Sequence, residues 1–408
     1  MASFTRTTAD SVLKEFYLPG IRNQLNNEVF LLTQVQTNSE DIEGRRAVLS
    51  LRLGRNTGVG SRAESGTLPT AGSQGYAEER VSLKYHYGRI QLTGPVMRSM
   101  GSDRGSFTRA LQSETEGVVR DLKKDVNRQL FGTSDGAIAR AALSTSTITL
   151  NMTTFTAPQQ RQLRPGMVVD IGTLASPTAI ATAAVIASIT TTTVTIDSAV
   201  SVNSTHYFFR SGSGGQTTAQ KEVTGLQTIV ASTGSLFNVD PATAAYADWA
   251  SYVDGNSGTL RAVTENQFVR AQQEVQIRSG EMANLWVTSD GVHRQVSNLL
   301  TSIKRFPNTL QLKGGYEALD MSAQGQGRSG ANQVGLVYDV DCPEYTAFLL
   351  NTSRLQWHRM SDWEFMEEDG AVLSRVANTD AYEATLFCYA EQATDTRNAH
   401  ARINDLAI

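Results

Sequence analysis

GRNTGVGSRAESGTLPTAGSQG, residues 54–75, is the stretch on which the fold turns. It is built of glycine and small polar residues, with Val59, Leu68 and Pro69 among its few apolar groups, and so lacks the apolar surface to order itself. On either side the pattern alternates. Residues 47–53 (AVLSLRL) set Leu49, Leu51 and Leu53 on one face, and Val81, Leu83, Tyr85 and Tyr87 repeat the two-residue step on the return. The pairing predicts a two-stranded arm whose tip needs another surface to settle on. No catalytic signature accompanies it, so that surface is expected to be another subunit.

Two runs carry a resemblance. Gly58-Val59-Gly60-Ser61-Arg62-Ala63-Glu64-Ser65-Gly66-Thr67-Leu68-Pro69 has a glycine-acidic-glycine tip closing on a small-apolar-proline step. After a polar spacer come Val81-Ser82-Leu83-Lys84-Tyr85-His86-Tyr87-Gly88-Arg89-Ile90-Gln91-Leu92-Thr93 and then a long helical pattern. In this order they resemble the extended loop and spine helix of tailed-bacteriophage major capsid proteins of the Hong Kong 97 type. The resemblance covers residues 1–135 and, less closely, 222–405. It implies an α+β Hong Kong 97-like capsid fold with an inserted small all-β domain. The expected parts are an N-terminal arm (1–46), an extended β-hairpin loop (47–93) and a peripheral domain with the spine helix (94–140). An inserted β-barrel or sandwich (141–215), an axial domain with its connections (216–375), and a return strand with a C-terminal tail (376–408) complete the plan.

Composition is compatible with this reading. A chain of 408 residues has room for two or three compact units. Cys342 and Cys388 form no CxxC pair, which argues against a disulfide scaffold or a cysteine-based metal site and fits synthesis inside a cell. The N-terminus lacks the basic start and apolar core of a signal peptide. The weakly polar run Ala179–Ile189 is about half of what a bilayer span requires, so no membrane segment is expected. Asn151, Asn203 and Asn351 begin glycosylation triplets that carry no meaning without export. A net charge of −4 with both signs interspersed excludes a dedicated nucleic-acid reader, yet suits a shell lining that must not grip phosphate.

Along the chain, helical spacing appears first over Ala9–Phe16, ended by Pro19-Gly20, with an apolar patch at Val29–Leu32. The clearest helix runs from Ser106, its expected cap, to Phe131. Phe107, Leu111, Thr115, Val118, Leu122, Val126 and Leu130 form its apolar stripe, and Gly132 is its stop. From Ala141 to about Arg210 the pattern shortens to Thr-rich, β-branched runs at 146–150, 167–171, 184–189, 193–197 and 206–210, which predict a small barrel or sandwich. Helices return at Pro241–Val253, Glu265–Arg278 and Asp290–Ile303, with a buried strand at Asn284–Thr288. Further strands are expected at Val334–Tyr338, Ala347–Leu350 and Ala381–Ala390.

The chemical motifs are thin. Gly325–Gly330 satisfies GxGxxG but follows a polar loop and precedes a strand, the wrong context for a dinucleotide, and no phosphate-cradling GxxxxGK[ST] occurs. His358, Asp362, Glu364, Glu367 and Glu368 could share a helical face as metal ligands, but Trp357 and Trp363 among them point to packing. His86, His206, His293, His358 and His400 are scattered, with no HExxH or GxSxG. No catalytic, cofactor or metal residue is therefore assigned, and no enzyme activity is expected. Some relatives lock their shells by lysine-asparagine isopeptide bonds. Lys84 does not match the reactive position and reads as a solvated strand residue, so no crosslinking is expected.

Arg55, Arg62, Glu64, Glu78, Glu79 and Arg80, at or beside the loop tip, are the residues expected to contact the next subunit through charge-assisted hydrogen bonds. What the resemblance implies is a major capsid protein, assembled in a host bacterial cytoplasm into hexamers and pentamers of an icosahedral head around double-stranded DNA. Its expected partners are itself, a separate scaffolding protein, a portal and a decoration protein, with no membrane. An encapsulin-like compartment enclosing cargo and a surface protein binding carbohydrate through the β-module are the alternatives.

Overall fold

A computed structural model describes residues 29–39, 42–43, 46–95, 104–215, 220–303, 309–311, 317–320, 334–367 and 372–408. The expected helix over Ala9–Phe16 and the Gly325–Gly330 run lie outside them. The described chain begins with α1 (Phe30–Gln34), β1 (Gln36–Asn38) and β2 (Ile42–Glu43), followed by the hairpin strands β3 (Arg46–Gly54) and β4 (Gly75–Ser82). These two pair from Arg46 opposite Ser82 to Gly54 opposite Gly75. Close approach at that last pair requires glycine, because a Cβ on Gly54 would meet Gly75 Cα at 2.8 Å.

The expected return strand is in fact two strands. After a break at Leu83 the chain becomes β5 (Lys84–Thr93), which leaves the hairpin. Val81 and Leu83 face inward, but the parity then flips: His86 and Ile90 are buried, while Tyr85 and Tyr87 are exposed. A two-residue period holds only within one ladder, and at residue 84 the chain changes ladders.

Helix α2 (Arg104–Leu130) begins two residues ahead of Ser106, which therefore lies inside it and is no cap. Gly132 closes its end, donating its N–H to the Gln129 carbonyl (2.9 Å). Residues 126–131 are buried all round, which a solvent-facing amphipathic helix would not allow. Strand β5 crosses α2 at Gly88, where a Cβ would stand 2.6 Å from Val118 Cγ1.

A closed barrel follows: β6 (Ala137–Ala141), β7 (Ser144–Thr153), α3 (Ala157–Gln162), β8 (Val168–Gly172), β9 (Ala181–Ile189), β10 (Thr193–Val202) and β11 (Tyr207–Arg210). Its strand order is β10-β7-β6-β11-β8-β9. Leu150, Val169, Ile171, Ile186, Val194, Ile196 and Phe208 fill an interior separate from the other cores. The barrel starts at Ala137, inside the stretch assigned above to the peripheral domain. AIARA alone has too little alternation to declare itself, and it becomes a strand by pairing with β11, Tyr207 opposite Arg140. Entry and exit adjoin, the Gly215 N–H donating to the Asp135 carbonyl (3.0 Å).

Next come α4 (Leu226–Ile229), a 3-10 turn (Ala244–Trp249), β12 (Tyr252–Asp254), α5 (Glu265–Ser279), β13 (Leu285–Thr288), α6 (Asp290–Ile303), β14 (Thr309–Gln311), β15 (Glu317–Asp320), β16 (Gly335–Tyr338) and β17 (Ala347–Leu350). The chain ends with β18 (Leu355–Arg359), β19 (Glu364–Phe365), β20 (Ser374–Arg375), β21 (Ala381–Thr394) and β22 (Ala401–Ile403). One sheet runs β12-β22-β17-β13-β16-β15-β14. Its central β13 is buried on both faces, Leu285 and Val287 in one core and Trp286 in another, as a nearly unbroken apolar run requires. Helix α5 has Thr264 and Gln267 in a capping box and ends on Gly280 at φ 73°.

The other sheet runs β1-β18-β21-β19, with β5 and β20 also on β21. Strand β21 pairs with all of β5, from Lys84 opposite Ala390 to Thr93 opposite Ala381. His358 thus lies on a strand, which removes the helical face on which a metal cluster with Asp362 depended.

Candidate assembly interface

The hairpin has a docked root and a projecting tip. On the inner face Leu51, with Leu53 and Ala77 beside it, joins the main core, and Ala47 and Val81 pack on Ala393 and Phe237. The Arg80 N–H donates to the Phe237 carbonyl (2.9 Å). The strands therefore lie on their own body, and the expectation of a surface on another subunit is left to the tip. Two-residue alternation predicted an apolar face, and that face is satisfied within the chain.

Residues 55–74 form the tip. Their hydrogen bonds among the described residues stay within the hairpin: Asn56 Nδ2 donates to the Gly72 carbonyl (3.0 Å), and the Gly58 N–H donates to Asn56 Oδ1 (2.7 Å). Arg62 Nε donates to the Thr67 carbonyl (3.0 Å), and its Nη1 donates to the Ser61 carbonyl (3.0 Å). Val59 and Leu68 remain 78% and 81% exposed, an apolar tip covered by nothing among the described residues.

The six charged residues separate into three groups. Arg55 and Glu64 are exposed on the tip, and Arg62 is exposed but partly committed to holding the tip's turn. Glu78 and Arg80 lie at the root, opposite Ser50 and Val48, and pair with each other across 3.0 Å on the outer face of β4. Glu79 is wholly buried. The last three are thus not beside the tip, because the ladder runs on to Gly75 and takes them into its root.

Alternation misread one face altogether. Tyr85 and Tyr87 stand outward from β5 beside Phe387 and Tyr389 of β21, with Tyr389 5.2 Å from Tyr85, 6.1 Å from Tyr87 and 5.1 Å from Phe387, ring centre to ring centre. The signal was present as every-second-residue aromatics in YHY and FCY, but the inward assignment of both tyrosines hid it. Lys84 is likewise no solvated residue. Its Nζ donates to the Gln220 carbonyl (2.7 Å) and lies 4.0 Å from the buried Glu391 carboxylate. Burial pushes the Glu391 carboxyl up to about 7, against the pull of Lys84.

An ion network fastens these parts together. Arg128, near the end of α2, bridges Asp125 (3.1 Å) and Glu222 (2.6 Å), and Arg210 at the end of β11 reaches Asp125 (2.9 Å). Among the described residues no three His, Cys, Asp or Glu side chains gather to hold a metal. What the surface offers is contact: an apolar tip, exposed charges and an aromatic sheet face.

No family profile and no curated protein matches the chain in sequence. Solved structures do match its fold. The Cyanophage A-1(L) capsid asymmetric unit is 13% identical with a TM-score of 0.59, over 99% of both chains. The capsid of an empty GTA particle is 8% identical with a TM-score of 0.53 over all of both chains, and a Mycobacterium phage Bobi chain is 11% identical with a TM-score of 0.50, also over all of both. The chain has the fold of tailed-phage capsid proteins.

Proposed function

We propose that this protein is the major capsid protein of a tailed phage, a structural protein without catalytic activity. Copies associate into the hexamers and pentamers of an icosahedral head enclosing double-stranded DNA, assembled in the host bacterial cytoplasm. The observation that carries this reading is fold correspondence along the whole chain, 99% of both partners, with a protein of a phage capsid. An apolar tip that no described residue covers supports it, since such a tip is suited to contact a second copy. A separate scaffolding protein, a portal and a decoration protein are the partners compatible with this role. The barrel is then a module added to a capsid fold, and Arg55 and Glu64 are the charges best placed to set the register of neighbouring copies.

Negative-stain electron microscopy of the expressed protein tests the proposal. Closed shells of uniform diameter are the expected result, and in infected cells those shells protect DNA from nuclease. Shells filled with a protein cargo would transfer the assignment to an encapsulin-like compartment, and a persistent monomer with glycan affinity to a surface-binding protein.

A further inference from the structure

Glu79 is the one residue on the hairpin's inner face whose chemistry opposes its position. It lies between Ala77 and Val81 on β4, opposite Leu49 on β3, on the face turned toward Phe237 and Ala393. Its relative exposure is 0%, and neither carboxylate oxygen has a hydrogen-bond partner among the described residues. A buried carboxyl without partners is tolerated only while it holds its proton. The charged groups around it give no relief. Glu78 and Arg80 face solvent and pair with each other, and Arg46 and Arg52 are on the exposed face of β3. On the segment beneath, Asp248 is exposed and Asp240 accepts the Ala242 N–H. On β21 and just beyond it, the acid that acts on Glu79 is Asp395, itself held by Arg354 at 3.1 Å.

The place of this acid matters as much as its environment. The root is joined to the β1-β18-β21-β19 sheet in sequence by β1 and β2 on one side and by the break at Leu83 on the other, and is held to the body by the small apolar cluster of Ala47, Val81, Ala393 and Phe237, by Leu51, and by the Arg80–Phe237 backbone hydrogen bond. The geometry points to a release switch: loss of the Glu79 proton undocks the hairpin root from residues 236–249 and from β21, freeing the arm from its own chain. On the capsid reading, which this inference rests on only for what the freed arm then meets, the docked root is a self-occupied state that a second copy must displace.

The direction in pH follows. Burial, and secondarily Asp395, raise the Glu79 carboxyl from 4.5 to about 8 in the docked state. A group whose docked value is raised favours docking fully below its free value, and the advantage is lost as pH rises toward the docked value. The opening equilibrium should therefore increase about tenfold per pH unit between roughly 5 and 8 and level off above that.

Hydrogen exchange on isolated full-length protomers reads this directly. The rate in peptides covering 75–82 is divided, at each pH, by the rate in Glu79→Gln, which cancels the intrinsic pH dependence of exchange. The expected ratio climbs as stated, while peptides from the barrel stay near unity and report an intact fold. Glu79→Met serves as the reference if Glu79→Gln loses barrel protection. A ratio independent of pH, or a root unprotected in both neutral variants, overturns the switch. Shell formation is scored separately by microscopy: shells with a pH-insensitive root remove the switch and keep the capsid assignment, and a pH-sensitive root in a protein that never forms shells does the reverse.

Discussion

His86 shows how one buried side chain records the packing of two strands. It points inward from β5, is 5% exposed, leaves Nε2 without a partner among the described residues, and lies near-parallel to Trp357 of β18 at 6.5 Å. Burial pushes its imidazole down from 6.5 to about 4. Above pH 6.5 both folded and unfolded chains hold it neutral and no penalty exists. As pH falls from about 6.5 to about 4 the unfolded chain takes up a proton that the folded chain refuses, so stability is lost by about 1.4 kcal/mol per pH unit. His86→Phe should remove this loss, and denaturation midpoints for variant and wild type should diverge progressively on acidification. A constant offset at every pH contradicts the assignment. The variant should keep a residual acid sensitivity from His400, also buried and pushed down to about 3. Arg397 is the opposite case, a buried cation that is fully used. Its guanidinium donates to the carbonyls of Thr228, Ile229, Thr233 and Gly234 and so fixes the loop after α4.

At the scale of elements, the contact of α2 with β5 depends on the absence of a side chain. Gly88 lets the helix approach until a Cβ would be 2.6 Å from Val118 Cγ1, and a β-branched residue cannot swing that methyl away cheaply. Gly88→Ala should therefore destabilise the protein by about 1–3 kcal/mol through overpacking. Val118→Ala in the same chain should restore much of that loss, a coupling that a double-mutant cycle on denaturation midpoints measures. Additive effects of the two substitutions would mean that the elements do not meet there. The length of α2 was legible because the apolar residues recur at three and four over many turns. Its contact with β5 was not, because a glycine within a strand pattern signals close approach without saying what approaches.

At the scale of the whole molecule, the barrel has its own closed hydrogen-bonding and its own interior, and its two connections meet at Asp135 and Gly215. Joining Gly136 directly to Gly214 should thus leave the rest of the fold in place. The expected outcome is a truncated chain whose remaining exchange protection matches the parent's, and an isolated 137–210 fragment that unfolds cooperatively. Loss of protection in β5 and β21 after excision would show that the Arg210–Asp125 ion pair and the hydrogen bond from Arg161 to the Val340 carbonyl bear structural weight, contrary to this expectation.

Local pattern was enough where one period runs unbroken within a single element. The alternation of 47–53, the long apolar stripe ending at Leu130, the Thr-rich short strands, the nearly all-apolar β13 and the glycine-rich tip were each readable, because a period of 2 or 3.6 is set by backbone geometry. Only the tertiary structure decided that residue 84 changes ladders, that Ala137 opens the barrel, that Tyr85 and Tyr87 face outward, that Lys84 lies against Glu391, and that Glu79 is sealed beneath the hairpin root. Each of these depends on a partner far away in the chain: β21 for β5, β11 for β6, Phe237 and Ala393 for the root. Which face of a strand is buried is fixed by what lies across it, and no local period contains that information.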